Sequence, residues 1–463
     1  MNKLILSAAA FAVFSATAQP APFTVDFAKE VGAVKKLNGV CNATPLANSR
    51  TRGINDLVLK LEVPYFRFHD AVLENPGLQL IDVRRIFQVF SADPTKAENY
   101  NFKPTDDYLK SVIDSGAEIE FRLGESIEHS PNVYLVNPPP DNEKWAEICC
   151  HIIRHYNEGW ANGFKWNIRR WSIWEEPDTN PQLLTGAPNP FREVFLPLYE
   201  VASKRIKREF PHLLVGGPHT CGTWRLKEFL EFCSARKLPL DFCGYTIYTR
   251  DPETLARSAE TARKQLDEHG YKDTKITIGE WHWGPVGWRG HGSVSSPRFS
   301  EAWSRELIGY NSAAFTAAAL IRMQDTPIDY MHFYAMKCGS WGLFDGYRRP
   351  YPCYYSMLAF AQLLHGDVRV EAMTVPERSW YVLASKEKST GRGRILVATI
   401  RTDNHPTLFL KGGVKPVSVK VIDPARDLEE TSEWKWDAAK ESLHLLRNVG
   451  DSTVWLIETE PAK

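Results

Sequence analysis

The strongest constraint on the fold is an alternation of short apolar runs with amphipathic helical segments between residues 36 and 365. Each run has the length and composition of a buried strand, and a segment with the apolar spacing of a helix follows it. Repeats of this kind are typical of an α/β protein whose parallel strands close into a (β/α)8 TIM barrel. The predicted barrel strands are Leu37–Cys41, Tyr65–Phe68, Glu118–Leu123, Arg170–Trp174, Leu213–Gly217, Asp241–Ile247, Ile276–Glu280 and Ile328–Tyr334.

The pattern changes after about residue 365, where turn residues separate short runs of alternating apolar and polar side chains. Such runs are typical of antiparallel sheets, so we expect an accessory antiparallel β-sandwich over residues 366–463. Phe23, Val25 and Phe27 show the same alternation, and a strand within residues 22–35 is expected to join this sandwich. The predicted sandwich strands are Trp380–Ser385, Ile395–Arg401, Thr407–Leu410, Ser418–Ile422, Leu443–Leu446 and Thr453–Glu458.

Residues 1–18 have the pattern of a signal peptide, so we expect a secreted or periplasmic protein. Lys3 precedes the apolar run Leu4–Phe14, and small residues at 16–18 allow cleavage. The run is shorter than the about 20 residues that cross a bilayer. Lysine plus arginine and aspartate plus glutamate number 56 each, which argues against nucleic acid and anionic membranes as partners. The pairing of the eight cysteines and the oligomeric state stay open.

Glutamates stand at the ends of two predicted strands. Arg170–Trp174 is followed by Glu175 and Glu176, and Ile276–Gly279 is followed by Glu280. A carboxylate that ends an apolar strand is costly to bury unless it faces a polar cavity, and TIM-barrel active sites lie at the C-terminal strand ends. Hydrolysis of a glycosidic bond needs two carboxyl groups. Glutamates on the fourth and seventh strands therefore indicate a glycoside hydrolase.

The segments around these glutamates resemble glycoside hydrolase family 39. Trp171–Asp178 reads W-S-I-W-E-E-P-D and is similar to the family's W-x-I-W-N-E-P-D, and Ile278–Trp281 is similar to its nucleophile segment. Phe66–Asp70 resembles the R-F-H segment of strand two, and Leu240–Phe242 with Tyr248 resembles D-F-x-S-x-H-x-Y of strand six. The resemblance implies a retaining, β-xylosidase-like enzyme that acts on oligo- or polysaccharides without a cofactor or metal.

The resemblance also implies roles for individual residues. Glu176 would be the general acid/base with a raised pKa, while Glu280 stays ionised and acts as the nucleophile. Tyr248 would donate a hydrogen bond to Glu280, and Arg67 would favour the charged form of the nucleophile. The other candidates for contact with the sugar are His69, Asp70, Glu175, His219, His282 and Trp341.

Two positions depart from the family pattern. Glu175 stands where the family has an asparagine that binds a sugar hydroxyl, and Thr246 stands at the strand-six histidine. An ionised glutamate cannot donate a hydrogen bond, and a third carboxylate should disturb the pKa values of the catalytic pair. The two-residue period of a strand predicts that Glu175 and Glu176 point in opposite directions.

Three alternatives remain open from the sequence. Glu175 rather than Glu176 could be the acid, or the chain could be a carbohydrate-binding protein that does not catalyse. A third alternative is a metal-dependent TIM-barrel hydrolase that uses His69, Asp70 and His282.

Overall fold

Eight parallel strands close into a barrel in the computed structural model, which confirms the TIM-barrel prediction. The structure describes residues 23–42, 55–69, 80–127, 137–179, 186–284, 305–339, 341–373, 379–402, 405–446 and 451–462. The chain enters through strand β1 (Phe23–Gly32), which belongs to a second sheet. The barrel strands follow as β2 (Gly39–Cys41), β3 (Tyr65–Phe68), β4 (Glu118–Leu123), β5 (Arg170–Ile173), β6 (Leu214–Cys221), β7 (Phe242–Thr249), β8 (Lys275–Trp283) and β9 (Tyr330–Phe333).

Three barrel strands extend further than the sequence predicted. Strands β6, β7 and β8 run to Cys221, Thr249 and Trp283, so His219 and His282 lie within strands and not after them. Polar side chains at these strand ends face the interior of the barrel, where other polar groups can pair with them. The pairing of these strands is irregular where the functional side chains lie, with register shifts between Pro218 and Thr220 and between Ile278 and Trp281.

Helices surround the barrel and cover its strands. In the helix that follows β4, Trp145, Ile148 and Ile152 have helical spacing and are buried, and Asp141 caps the N-terminus by accepting two backbone N–H groups. The described helices are α1 (Asn55–Lys60), α2 (Val83–Ile86), α3 (Lys103–Ile113), α4 (Asn142–Asn157), α5 (Leu196–Glu209), α6 (Leu226–Arg236), α7 (Pro252–Glu268), α8 (Tyr310–Arg322) and α9 (Pro352–Leu363).

The second sheet has ten strands and is antiparallel except where β1 pairs parallel to β13. Successive side chains along its strands pack into two different hydrophobic clusters. Tyr381 and Leu383 face the helices of the barrel, whereas Trp380 and Val382 face a separate cluster with Phe23. Its other strands are β10 (Val368–Ala372), β11 (Trp380–Lys386), β12 (Gly393–Thr399), β13 (Thr407–Lys411), β14 (Val414–Asp423), β15 (Arg426–Glu430), β16 (Trp434–Asp437), β17 (Ser442–Leu445) and β18 (Thr453–Pro461).

The structure bears on the pairing of the cysteines and on whether a helix could cross a membrane. All eight cysteines are free thiols, and most of them are buried. Among the described residues, none of the helices combines the length and the apolar character that crossing a bilayer requires. The predicted signal peptide, residues 1–18, lies outside the described residues.

Candidate active site

The turn after β5 directs two adjacent carboxylates into the barrel. Trp174 and Glu176 have positive φ angles of 68° and 37°, a conformation that costs free energy outside glycine and is common at functional sites. Two backbone hydrogen bonds hold this turn, from Trp174 N–H to Leu123 O at 2.7 Å and from Glu176 N–H to His219 O at 3.2 Å. Glu175 contacts Arg67 of β3 and Glu176 contacts Thr246 of β7, and the expectation that the two side chains point in opposite directions stays a prediction.

Glu280, on β8, is held as a carboxylate. Its Oε1 lies 2.7 Å from Nε2 of His69 and 3.8 Å from Nη1 of Arg67, and the Tyr248 hydroxyl donates to its Oε2. Burial acts to raise the pKa of Glu280, but the interactions with His69, Arg67 and Tyr248 outweigh burial and lower the pKa to about 2. Glu280 is therefore ionised at neutral pH.

Glu176 has the opposite electrostatic environment. The Thr246 hydroxyl donates to its Oε1 at 2.5 Å, and the side chain stays partly exposed. Burial and then the negative charges of Glu280 and Glu175 raise the pKa of Glu176 well above its usual value, and the bond from Thr246 opposes this only in part. The surroundings therefore favour the protonated form of Glu176 and the ionised form of Glu280.

Glu175 is the most deeply buried of the three carboxylates, with a side chain 1% exposed. Arg67 donates to its Oε2 through Nη2, and its Oε1 accepts no hydrogen bond from the described residues. Burial raises the pKa of Glu175 to about 7, although Arg67 and His69 oppose the change. Its burial makes Glu175 a poorer candidate than Glu176 for protonating a leaving group.

A layer of buried polar groups supports these carboxylates from below. Arg67 Nε lies 3.3 Å from Oε1 of Glu120, which also lies 3.0 Å from Nε2 of His219. His219 is completely buried, and burial lowers its pKa to about 4. Its ring passes directly over Gly279, where an added Cβ would come within 2.2 Å of Nδ1. Sequence reasoning missed Glu120, although a glutamate inside an apolar strand was a visible signal.

An aromatic wall closes the side of the site formed by β7, β8 and the segment after β9. The partly exposed ring of Trp341 lies 5.3 Å from Tyr248, 5.8 Å from Tyr334 and 5.6 Å from His282, in edge-to-face arrangements. His282 is completely buried, and burial lowers its pKa to about 3, so the ring is neutral. Such rings suit contact with the C–H faces of a sugar.

The metal alternative was predicted to use His69, Asp70 and His282. Asp70 lies outside the described residues. Ligand atoms of His69, Glu175 and Glu280 lie within 4.8 Å of one another, a spacing that can hold a cation. The guanidinium of Arg67 already supplies positive charge here, since it bonds to Glu175 and lies 3.8 Å from Glu280. A divalent ion would be repelled by this fixed charge, so the residues present fit a metal poorly.

The sequence of this chain matches that of a known protein family. Residues 38–283 match the family model described as Glycosyl hydrolases family 39. This chain belongs to glycosyl hydrolase family 39. The resemblance found in the strand-four and strand-seven motifs is thereby confirmed.

The individual proteins that this chain resembles are distant in sequence. A beta-xylosidase of Geobacillus stearothermophilus is 28% identical over 234 residues, which cover 47% of this chain and 41% of that protein. The chain therefore spans less than half the length of this relative. A glucosidase structure from Croceicoccus marinus has a TM-score of 0.73 at 21% identity, covering 96% and 99% of the two chains. A monomeric beta-xylosidase structure from Caulobacter crescentus has a TM-score of 0.65 at 14% identity, covering 96% and 100%.

Proposed function

We propose that this chain is a retaining glycoside hydrolase in which Glu176 is the acid/base and Glu280 the nucleophile. The observation that carries the proposal is the contrast between the contacts of the two carboxyl groups, since His69, Arg67 and Tyr248 surround Glu280 whereas Glu176 accepts from the neutral hydroxyl of Thr246. The pKa of Glu176 is raised well above its usual value, and that of Glu280 is lowered to about 2. A pair of carboxyl groups tuned in this way meets the needs of glycoside hydrolysis by double displacement.

The first step follows from these protonation states. Glu176 transfers its proton to the glycosidic oxygen while a carboxylate oxygen of Glu280 attacks the anomeric carbon. The bond from the anomeric carbon to the leaving oxygen breaks, the leaving group departs as an alcohol, and an ester bond to Glu280 forms. Because Oε1 of Glu176 accepts from Thr246, its proton is expected on Oε2.

The second step uses the loss of charge on Glu280. Esterification removes the negative charge that helped raise the pKa of Glu176, so this pKa falls. Glu176 can then take a proton from water as the water attacks the anomeric carbon and the ester bond breaks. Tyr248 and Arg67 stabilise the carboxylate of Glu280 as it leaves.

The relatives suggest β-xylosides as the first substrates to test. Relatives named as beta-xylosidases and one named as a glucosidase share the fold, and a xyloside differs from a glucoside by a hydroxymethyl group. Trp341 would present its partly exposed indole to the sugar. Comparing a xyloside with the matching glucoside therefore tests whether the aromatic wall leaves room for the hydroxymethyl group.

The proposed location is secreted or periplasmic, supported by the signal-peptide pattern of residues 1–18. Mass spectrometry of the protein from a cell-envelope or culture-medium fraction should find a mature N-terminus close to residue 19. A full-length chain that starts at Met1 and stays with the cytoplasmic fraction would contradict this proposal.

The test of function compares the wild-type protein with Glu176→Ala and Glu280→Ala on xylosides, glucosides and arabinosides. We expect both variants to lose at least about 10³-fold in kcat on the best substrate, with azide restoring turnover by Glu280→Ala. Proton NMR of early product should show the anomeric configuration of the substrate. Inversion would refute the mechanism, and binding of sugars without turnover by the wild-type protein would favour the carbohydrate-binding alternative.

A further inference from the structure

His69, which contacts the carboxylate of Glu280, lies one position beyond the end of its strand. Strand β3 ends at Phe68, which pairs with Phe121 of β4, so the hydrogen-bonded ladder of the barrel stops before His69. The ring of His69 is nevertheless placed with Nε2 2.7 Å from Oε1 of Glu280. His69 is completely buried, and a buried peptide group outside a ladder needs other partners for its N–H and its carbonyl.

Two side chains take the place of the ladder at His69. Asn42, which follows β2, accepts from the His69 N–H through Oδ1 at 3.3 Å. Arg122, on β4, donates to the His69 carbonyl through Nε, at 3.1 Å, and also through Nη2. A guanidinium is planar and holds its donors in a fixed relation to one another, so the two bonds together restrict the orientation of the His69 peptide.

Arg122 is in turn held by Asp82. Both residues are completely buried, and Nη2 of Arg122 lies 2.8 Å from Oδ1 of Asp82. The same Oδ1 accepts from the backbone N–H of Ser126 at 2.8 Å and from its hydroxyl at 2.7 Å. The guanidinium therefore has a fixed carboxylate on one side and the His69 carbonyl on another. Hydrogen bonds that involve a charged group are stronger than neutral ones, so this arrangement restricts Arg122 to one orientation.

We infer that Arg122 is a positioning residue for the nucleophile, and that it acts through His69 on the contact between His69 and Glu280. This inference rests on the proposed function and adds a residue that touches neither carboxyl group of the catalytic pair. Loss of the bonds to the His69 carbonyl would free the peptide to rotate and would lengthen the 2.7 Å contact with Glu280. A carboxylate that loses a hydrogen bond to its charged form is protonated more readily.

Other groups also face Glu280, and a substitution at Arg122 leaves all of them in the chain. They are Cys41 on β2, Arg67 on β3, Glu175 and Glu176 after β5, and Tyr248 on β7. The charge of Arg122 could instead act on Glu280 directly. Arg122→Lys separates the two effects, because it keeps the positive charge but cannot supply two donors in a fixed plane.

The test is a double-mutant cycle at Arg122 and His69, measured as kcat on the best glycoside. We expect Arg122→Met to lower kcat on the order of tenfold when His69 is present, because a small misplacement of a reacting group is costly. In the His69→Ala background the same substitution should lower kcat less than about twofold, since the ring through which Arg122 acts is gone. Asp82 keeps a cation in Arg122→Met, because Nη2 of Arg84 lies 3.3 Å from its Oδ2.

Arg122→Lys should also lower kcat, and again only when His69 is present. Because a weaker contact favours the protonated form of Glu280, the acidic limb of the kcat/KM profile should move to higher pH in both Arg122 variants. Arg263→Met is the matched control. Arg263, on α7, likewise donates to backbone carbonyls, of Thr274 and Tyr271, but at the start of β8 and so at the opposite end of the barrel. It should leave both kcat and the acidic limb unchanged.

The possible failures of the inference and of the proposed function are distinct. Equal losses of kcat with and without the His69 ring would show a general structural effect and would overturn the inference. Full activity of Arg122→Lys, or an acidic limb that stays in place in both Arg122 variants, would overturn it as well. The proposed function would stand in each of these cases. A wild-type protein that hydrolyses no glycoside would overturn the proposed function and the inference with it.

Discussion

The hydrogen bond from Thr246 to Glu176 offers a sharp test of the acid/base assignment. Thr246→Val removes the hydroxyl with little change of shape at a position 1% exposed. The hydroxyl stabilises the ionised form of Glu176, so its loss raises the pKa of Glu176 further. A hydrogen bond to a charged acceptor contributes about 1.5–3 kcal/mol, and one pKa unit corresponds to about 1.36 kcal/mol. Because Glu176 is partly exposed and water can replace the hydroxyl, we expect a rise of about one unit.

The assay is the pH profile of kcat/KM, which reports groups of the free enzyme. Activity requires protonated Glu176, so its alkaline limb follows this pKa and should move up by about one unit in Thr246→Val. The acidic limb, which follows ionisation of Glu280, should stay where it is. Thr246→Ser keeps a hydroxyl and is the control. An alkaline limb that stays in place or moves down in Thr246→Val would refute the assignment of Glu176 as the acid.

Four further predictions test the surrounding charges and packing. Glu175→Gln removes a negative charge that raises the pKa of Glu176, so the alkaline limb should move down, opposite to Thr246→Val. Arg67→Met leaves the buried Glu175 without its cation and removes one of the two arginines beside Glu120, so it should lower the free energy of unfolding in urea by about 3–5 kcal/mol. Gly279→Ala places a Cβ 2.2 Å from the His219 ring and should reduce kcat at least tenfold while costing about 1–3 kcal/mol of stability. Dialysis against a chelator should leave kcat/KM unchanged, and a loss restored by a divalent ion would contradict the argument from Arg67.

Much of the fold could be predicted because its strands are apolar runs of characteristic length. The second sheet was harder to predict from the same signals. Arg426–Glu430 is almost entirely charged and pairs at the edge of the sheet, where exposed side chains carry little pattern. Trp434–Asp437 was also missed, although its alternation of tryptophan with polar residues is a strand signal.

The site was predictable in its chemistry but not in its geometry. The location of Glu176 and Glu280 in the C-terminal part of the barrel follows from the sequence, because a barrel gathers the C-terminal portions of its strands at one end. The direction of Glu175 does not, since it depends on positive φ angles held by hydrogen bonds to β4 and β6. Glu120 was visible as a glutamate inside a strand, but its role depends on the Arg67 and His219 that surround it in the folded barrel. The direction of Glu175 and the role of Glu120 both depend on tertiary contacts and not on the local sequence.

The glutamate at position 175 is compatible with catalysis because one guanidinium serves three carboxylates. Arg67 lies within 3.8 Å of Glu120 and Glu280 and bonds to Glu175, so its single positive charge cannot offset three negative ones. Burial raises the pKa of Glu175 to about 7, and the charges of Arg67 and His69 oppose this rise only in part. A protonated carboxyl group can donate as well as accept, as the family's asparagine does. We therefore expect Glu175 to offer a donor only while its proton is bound, so that binding of a sugar hydroxyl at this position would depend on pH.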